Sequence, residues 1–209
     1  MHTTANVTPT VTLEGSPTDR MLTASLLVAP LLLLAADTVY AIQGWTDPTA
    51  GVLHVLGAIA YGLVVLRVAG WLSGGSTLTA VLVLTAVAGS IGNAAYGFDT
   101  IHQSLGDPAL VDQGGAAILI KPLGMIFPVS IALVALGLLR LGHRLSATLA
   151  LVAAVGWPVA HIANIGPLAV AVNVVLVVAL GSVAWGARTS GRTTEPGAAP
   201  TQTRDARRA

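Results

Sequence analysis

Six stretches of almost unbroken apolar residues follow one another along the chain, at about 21–42, 50–72, 77–98, 115–139, 146–165 and 167–187. As a helix rising about 1.5 Å per residue, each is long enough to cross a hydrocarbon layer of about 30 Å. Runs such as Leu31-Leu32-Leu33-Leu34 and Val174-Val175-Leu176-Val177-Val178 do not alternate apolar with polar positions, as the strands of a membrane barrel must. Helices are the other way to satisfy every backbone group in lipid. Turn residues punctuate the blocks: Gly44-Trp45-Thr46-Asp47-Pro48, Ser73-Gly74-Gly75-Ser76, Asp107-Pro108, and a short hairpin from Asn164 to Pro167. Residues 1–19 and 189–209 are rich in Thr, Pro, Gly or Arg, lack periodicity, and are predicted to be disordered tails. The pattern predicts an all-α membrane protein, a bundle of six transmembrane helices.

Composition agrees. Hydrophobic residues make up 54% of the chain and charged residues 9%, against about 25% charged in a soluble domain. Too little polar surface remains to face water, and the bilayer becomes the expected partner of the outer surface. No basic patch for nucleic acid exists, because the arginines stand singly between apolar blocks. The absence of cysteine excludes disulfides, thiolate metal sites and covalent c-type haem. The dominance of Ala, Val, Leu and Gly points to a GC-rich bacterial genome, and so to a bacterial plasma membrane.

Charge then orients the chain. The first gap holds Asp47 and no base, and the third holds Asp99, Asp107 and Asp112 and no base. Arg67 flanks the second gap, Arg140 and Arg144 flank the fourth, and the carboxyl tail holds Arg188, Arg192, Arg204, Arg207 and Arg208. The positive-inside rule places both termini in the cytoplasm. Tyr40, Trp45 and Tyr96 then mark the outer boundary, and Trp71 and Trp185 the inner one. A competing reading makes the first block a cleaved leader ending at Val39-Tyr40-Ala41; the single base before it and Asp37 beside the site argue against that.

The polar residues within the blocks gather on one side. Asp37, His54, Asn93, Lys121, His161 and Asn173 come from six different blocks, yet all fall in the predicted outer half. Intramembrane polar groups are costly and face the bundle interior or a wet cavity. Trp157, His161 and Asn164 share one helical face, as do His54, Ala58 and Tyr61. Gly89, Asn93 and Gly97 keep a third face narrow for close packing, while Leu82 and Leu84 are expected to matter little if they face lipid. Pro122, Pro128 and Pro158 are expected to kink their helices.

These residues predict an outward-opening polar pocket built from Asp37, His54, Tyr61, Asn93, Lys121, Trp157, His161, Asn164 and Asn173. It would bind or transport a small molecule, a lipid or an ion, with the acidic third gap (Asp99, His102, Asp107, Asp112) as its mouth. Lys121 should meet a carboxylate, either Asp37 or one from the third gap. The alternative is a membrane-embedded enzyme acting on an isoprenoid- or quinone-like substrate, with Asp37 or Asp99 as acid and His161 as base. No metal site and no cofactor is predicted; a haem or metal held between His54 and His161 is the remaining variant. A third class is a subunit that recognises a protein partner through its spans.

Overall fold

The computed structural model describes residues 15–190, residue 73 excepted, so most of the two expected tails lies outside it. Among the described residues the chain is all helical. Its six long helices are α1 (Pro17–Gln43), α2 (Pro48–Trp71), α3 (Thr77–Ser104), α4 (Ile120–Arg140), α5 (Arg144–Ile162) and α6 (Gly166–Ser190). Two short 3-10 turns, Leu110–Asp112 and Gly115–Leu119, lie between α3 and α4. All six long segments are apolar and long enough to cross a membrane.

The helix starts follow from local chemistry. Ser16 precedes Pro17 and accepts the Asp19 N–H at 3.1 Å. Asp47 precedes Pro48 and accepts the Ala50 N–H at 3.0 Å, and Ser76 accepts the Thr79 N–H at 3.1 Å. Each cap satisfies an N–H that the first helical turn leaves open. Because Ser16 caps it, α1 starts before the expected position 21, which places Asp19 within 2.6 Å of Arg67 on α2. Gly142 after α4 and Asn164 after α5 take positive φ (86° and 53°), and each reverses the chain in a few residues.

Each helix packs on its neighbours in sequence, and α6 packs back on α1. The result is a closed, up-and-down ring of six. The α1–α2, α3–α4 and α5–α6 connections share one end. The α2–α3 and α4–α5 turns share the other, with Arg20, Arg67, Arg140 and Arg144. Small residues let the ring close tightly. A Cβ on Gly89 would stand 2.7 Å from the Phe127 backbone, and one on Gly97 2.8 Å from the Gly51 carbonyl. Gly92 lies closer still to the backbone of Leu123 and Gly124. Away from the polar end, the interior is filled by Leu26, Val64, Val68, Leu82, Ile131, Val134, Leu138, Leu176 and Leu180. The perimeter exposes Ile59, Leu84, Ile91, Val155 and Trp185, as a surface facing lipid does.

Two expectations need correction here. Leu82 is 0% exposed and belongs to the core, while Leu84 is 71% exposed. Pro122 occupies the first turn of α4, where no intrahelical N–H is needed, so it does not break the helix. Pro128 and Pro158 do lie inside their helices, and so does Pro30 in α1.

Thermal unfolding in detergent checks this packing. Gly92→Ala and Gly89→Leu should each cost about 1–3 kcal/mol through forced backbone separation. Leu82→Ala should cost a similar amount through the cavity it leaves. Leu84→Ala should be nearly silent, because lipid replaces protein at that position.

Candidate functional site

At the end of the ring that carries the α1–α2, α3–α4 and α5–α6 connections lies a cavity of about 280 Å³. His54 of α2, Asn93 of α3, Trp157 and His161 of α5, and Asn164 of the α5–α6 turn all line it. Sequence spacing therefore brings five of the nine expected pocket residues to one space. Asp99 and Asp112 of the acidic gap line it as well.

Asp37 and Asn173 stand behind the wall. Asp37 is 1% exposed and Asn173 is equally buried. The Asn173 amide donates to Asp37 Oδ2 at 2.5 Å, and His161 Nε2 lies 3.3 Å from Asp37 Oδ1. His161 Nδ1 lies 2.9 Å from the Trp157 carbonyl. A carbonyl only accepts, so Nδ1 carries a hydrogen. The Nε2 contact to a carboxylate oxygen then needs one further proton between the two groups. It sits either on Asp37, giving a neutral pair, or on His161, giving an ion pair. In both forms the pair has no net charge, which is the condition for holding an ionisable side chain in lipid-buried surroundings. Asp37, expected in the pocket, stands behind its wall as the anchor that positions His161.

His54 and Asn93 form the second polar pair. His54 Nε2 lies 2.9 Å from Asn93 Oδ1. His54 Nδ1 and Asn93 Nδ2 are buried and have no hydrogen-bond partner among the described residues. With Nε2–H donating to Oδ1, Nδ1 is an acceptor and Nδ2 a donor. Turning the amide over exchanges the two roles and leaves the same count, one donor and one acceptor unmet.

Aromatic rings tie the polar pairs together. Trp157 stacks on His161 at 4.0 Å between ring centroids, and Tyr40 stacks on Trp45 at 5.1 Å. Trp45 meets the edge of His161 at 5.6 Å, and the two imidazoles are 6.3 Å apart. The Tyr40 hydroxyl reaches Thr100 on α3 at 3.1 Å. Tyr40, expected to face the membrane boundary, is therefore buried in the cavity wall.

Two of the nine expected pocket residues, Tyr61 and Lys121, sit elsewhere. Tyr61 is deep in the core, against Phe127 at 4.8 Å, and its hydroxyl receives the Ser130 hydroxyl at 3.3 Å. It lies two helical turns below His54, beyond the cavity floor. Lys121 is not two turns inside a span but in the first turn of α4, because the preceding residues form a 3-10 turn. Its ammonium pairs with Asp112 at 2.7 Å, with side chains 56% and 69% exposed, at the rim rather than in the cup. Asp99 is buried, and its carboxylate accepts from Leu110 N at 2.6 Å, Gln103 Nε2 at 3.1 Å and Val111 N at 3.4 Å. It fastens the α3–α4 connection over the cavity, while His102 pairs with Asp107 at 3.5 Å on the same connection.

The cavity also takes in Tyr96, Thr100 and Gln103 of α3 and Met125 of α4, which were not expected. The signal was present on α3: Asn93, Tyr96, Thr100 and Gln103 follow the helical i, i+3, i+7, i+10 pattern. Both ring nitrogens of His161 are engaged, so a metal or haem shared with His54 would require it to leave Asp37 or the Trp157 carbonyl. Among the described residues no three His, Cys, Asp or Glu side chains group as a metal site.

Comparison of the chain with known protein families, with curated proteins and with solved structures returns no match.

The Asp37–His161 contact predicts strong coupling. Asp37→Ala and His161→Ala should each cost about 3–5 kcal/mol, because each leaves a buried polar group without its partner. The double variant should cost less than the sum by about 1–3 kcal/mol. Lys121→Ala should leave the unfolding temperature unchanged, since its pair is at the exposed rim. Additive losses for Asp37 and His161 would show that the contact carries no energy.

Proposed function

We propose that this chain is a multi-pass plasma-membrane protein, amino and carboxyl ends inside, whose cavity binds a small polar organic molecule from the outer side. The observation that carries the reading is convergence. Side chains from α2, α3 and α5 and from all three connections at that end line one cavity, and two of them hold unmet hydrogen-bonding atoms. Buried polar atoms left without partners are costly in lipid, and a ligand that satisfies them recovers that energy. The volume is at the small end for ligand pockets. Charge supports the sidedness: Asp47, Asp99, Asp107 and Asp112 lie at the cavity end, and the span-flanking arginines lie at the other.

Binding is favoured over passage. Among the described residues the ring interior below Tyr61 and Phe127 is filled mainly by apolar side chains, with scattered buried serines and threonines such as Ser25, Thr79 and Ser146. The enzyme reading has less support, because a general base needs a nitrogen free to face substrate. His161 has both nitrogens engaged, and Asp99 is occupied with the Leu110 and Val111 amides.

Because the chain has no cysteine, single-cysteine labelling is clean. Ala109→Cys, in the cavity wall, should react with a membrane-impermeant maleimide added to intact cells. His143→Cys, in the exposed α4–α5 turn, should react only after the membrane is opened. The reverse pattern would overturn the orientation and with it the outward-facing site.

A further inference from the structure

The lining of the cavity restricts the class of its ligand. The chain is poor in aromatic residues, at 4%, yet Tyr40, Trp45, Tyr96 and Trp157 all line this one space. Among the described residues no lysine or arginine lines it, and the carboxylates that do are Asp99 and Asp112. Asp112 is matched by Lys121 at the rim. Asp37, behind the wall, is taken up by His161 and Asn173. Asp99 is left as the lining carboxylate with neutral partners only, two backbone amides and Gln103. A space lined by four electron-rich aromatic side chains and by a carboxylate with no cationic partner favours a single positive charge over an anion.

A cation alone does not complete the site. His54 and Asn93 are 3% and 0% exposed, and together they present one unmet donor and one unmet acceptor from adjacent side chains. A hydroxyl both donates and accepts, and a primary or secondary amide does the same; a tetraalkylammonium does neither. Resting on the proposed outward-facing cavity, we infer that its ligand is a small organic cation that also carries a hydroxyl or amide group. The ammonium lies among Tyr40, Trp45 and Tyr96, and the hydroxyl or amide bridges His54 and Asn93. A cavity of about 280 Å³ has room for a molecule of that size.

Three probes separate the contributions: choline, which has both features; 3,3-dimethylbutan-1-ol, the uncharged isostere of choline; and tetramethylammonium, which lacks the hydroxyl. Titration calorimetry uses the full chain in mild detergent, and in parallel each probe is tested for protection of Ala109→Cys against the maleimide. Choline should bind and protect, with each of the other two at least about tenfold weaker. Trp45 is half-buried in the α1–α2 turn, outside the six helices, with its ring against Tyr40 and His161. Trp45→Leu should weaken choline about tenfold and Trp45→Phe should recover part of that loss, with unfolding temperatures close to the parent. If the alcohol binds as tightly as choline, the charge requirement is wrong. If tetramethylammonium does, the hydrogen-bonding requirement is wrong. Labelling of Ala109→Cys with no protection by choline overturns the ligand class and leaves the outward cavity standing. Failure of Ala109→Cys to label from outside overturns the cavity itself.

Discussion

A carboxylate buried in a bundle of apolar helices must find its partners in the protein, and this demand shapes the polar end of the bundle. Asp37 on α1 finds His161 on α5 and Asn173 on α6, which brings together the first helix and the last two. The ring is closed at that point by a contact that needs a proton and a fixed imidazole. His161, once held at both nitrogens, presents its ring face to Trp157 and its edge to Trp45. The aromatic wall of the cavity is thus positioned in part by Asp37, which stands behind His161 and does not itself line the cavity.

Backbone proximity shapes the other wall. Gly89, Gly92 and Gly97 bring α3 against α4 on one side and α2 on the other. That approach sets Asn93 within reach of His54, and it lets Tyr96 lie over Gly124 at the cavity edge. Without a hydrophobic driving force between helices in lipid, close van der Waals contact and a few internal hydrogen bonds must hold the bundle together. The same small residues that provide the contact therefore determine how large the cavity is.

The six helices were legible because hydropathy alone marks them, and the depth of the polar residues was legible because helix direction alternates through short turns. Which face of each helix looks inward was much less legible. In lipid both faces are apolar, so Leu82 and Leu84 look alike in the sequence although one is core and the other perimeter. Lys121 was misplaced because nothing in the apolar run from 115 distinguishes a 3-10 turn from the start of a span. Tyr61 was included because it shares a face with His54, but a shared face does not fix depth, and two turns carried it into the core. Asn93 and His161 were readable for the opposite reason: a strongly polar side chain in an apolar helix has few places to go.

The Asp37–His161 contact is the feature on which this account of the cavity wall rests. Solid-state NMR of 15N-histidine-labelled protein in lipid bilayers reads it directly, with His161→Gln identifying the resonance. The structure requires a His161 signal with Nδ1 protonated and Nε2 in a hydrogen bond that shifts when Asp37 is changed to Asn. A His161 signal with Nδ1 unprotonated, or one that does not respond to Asp37→Asn, would contradict the contact and the site built upon it.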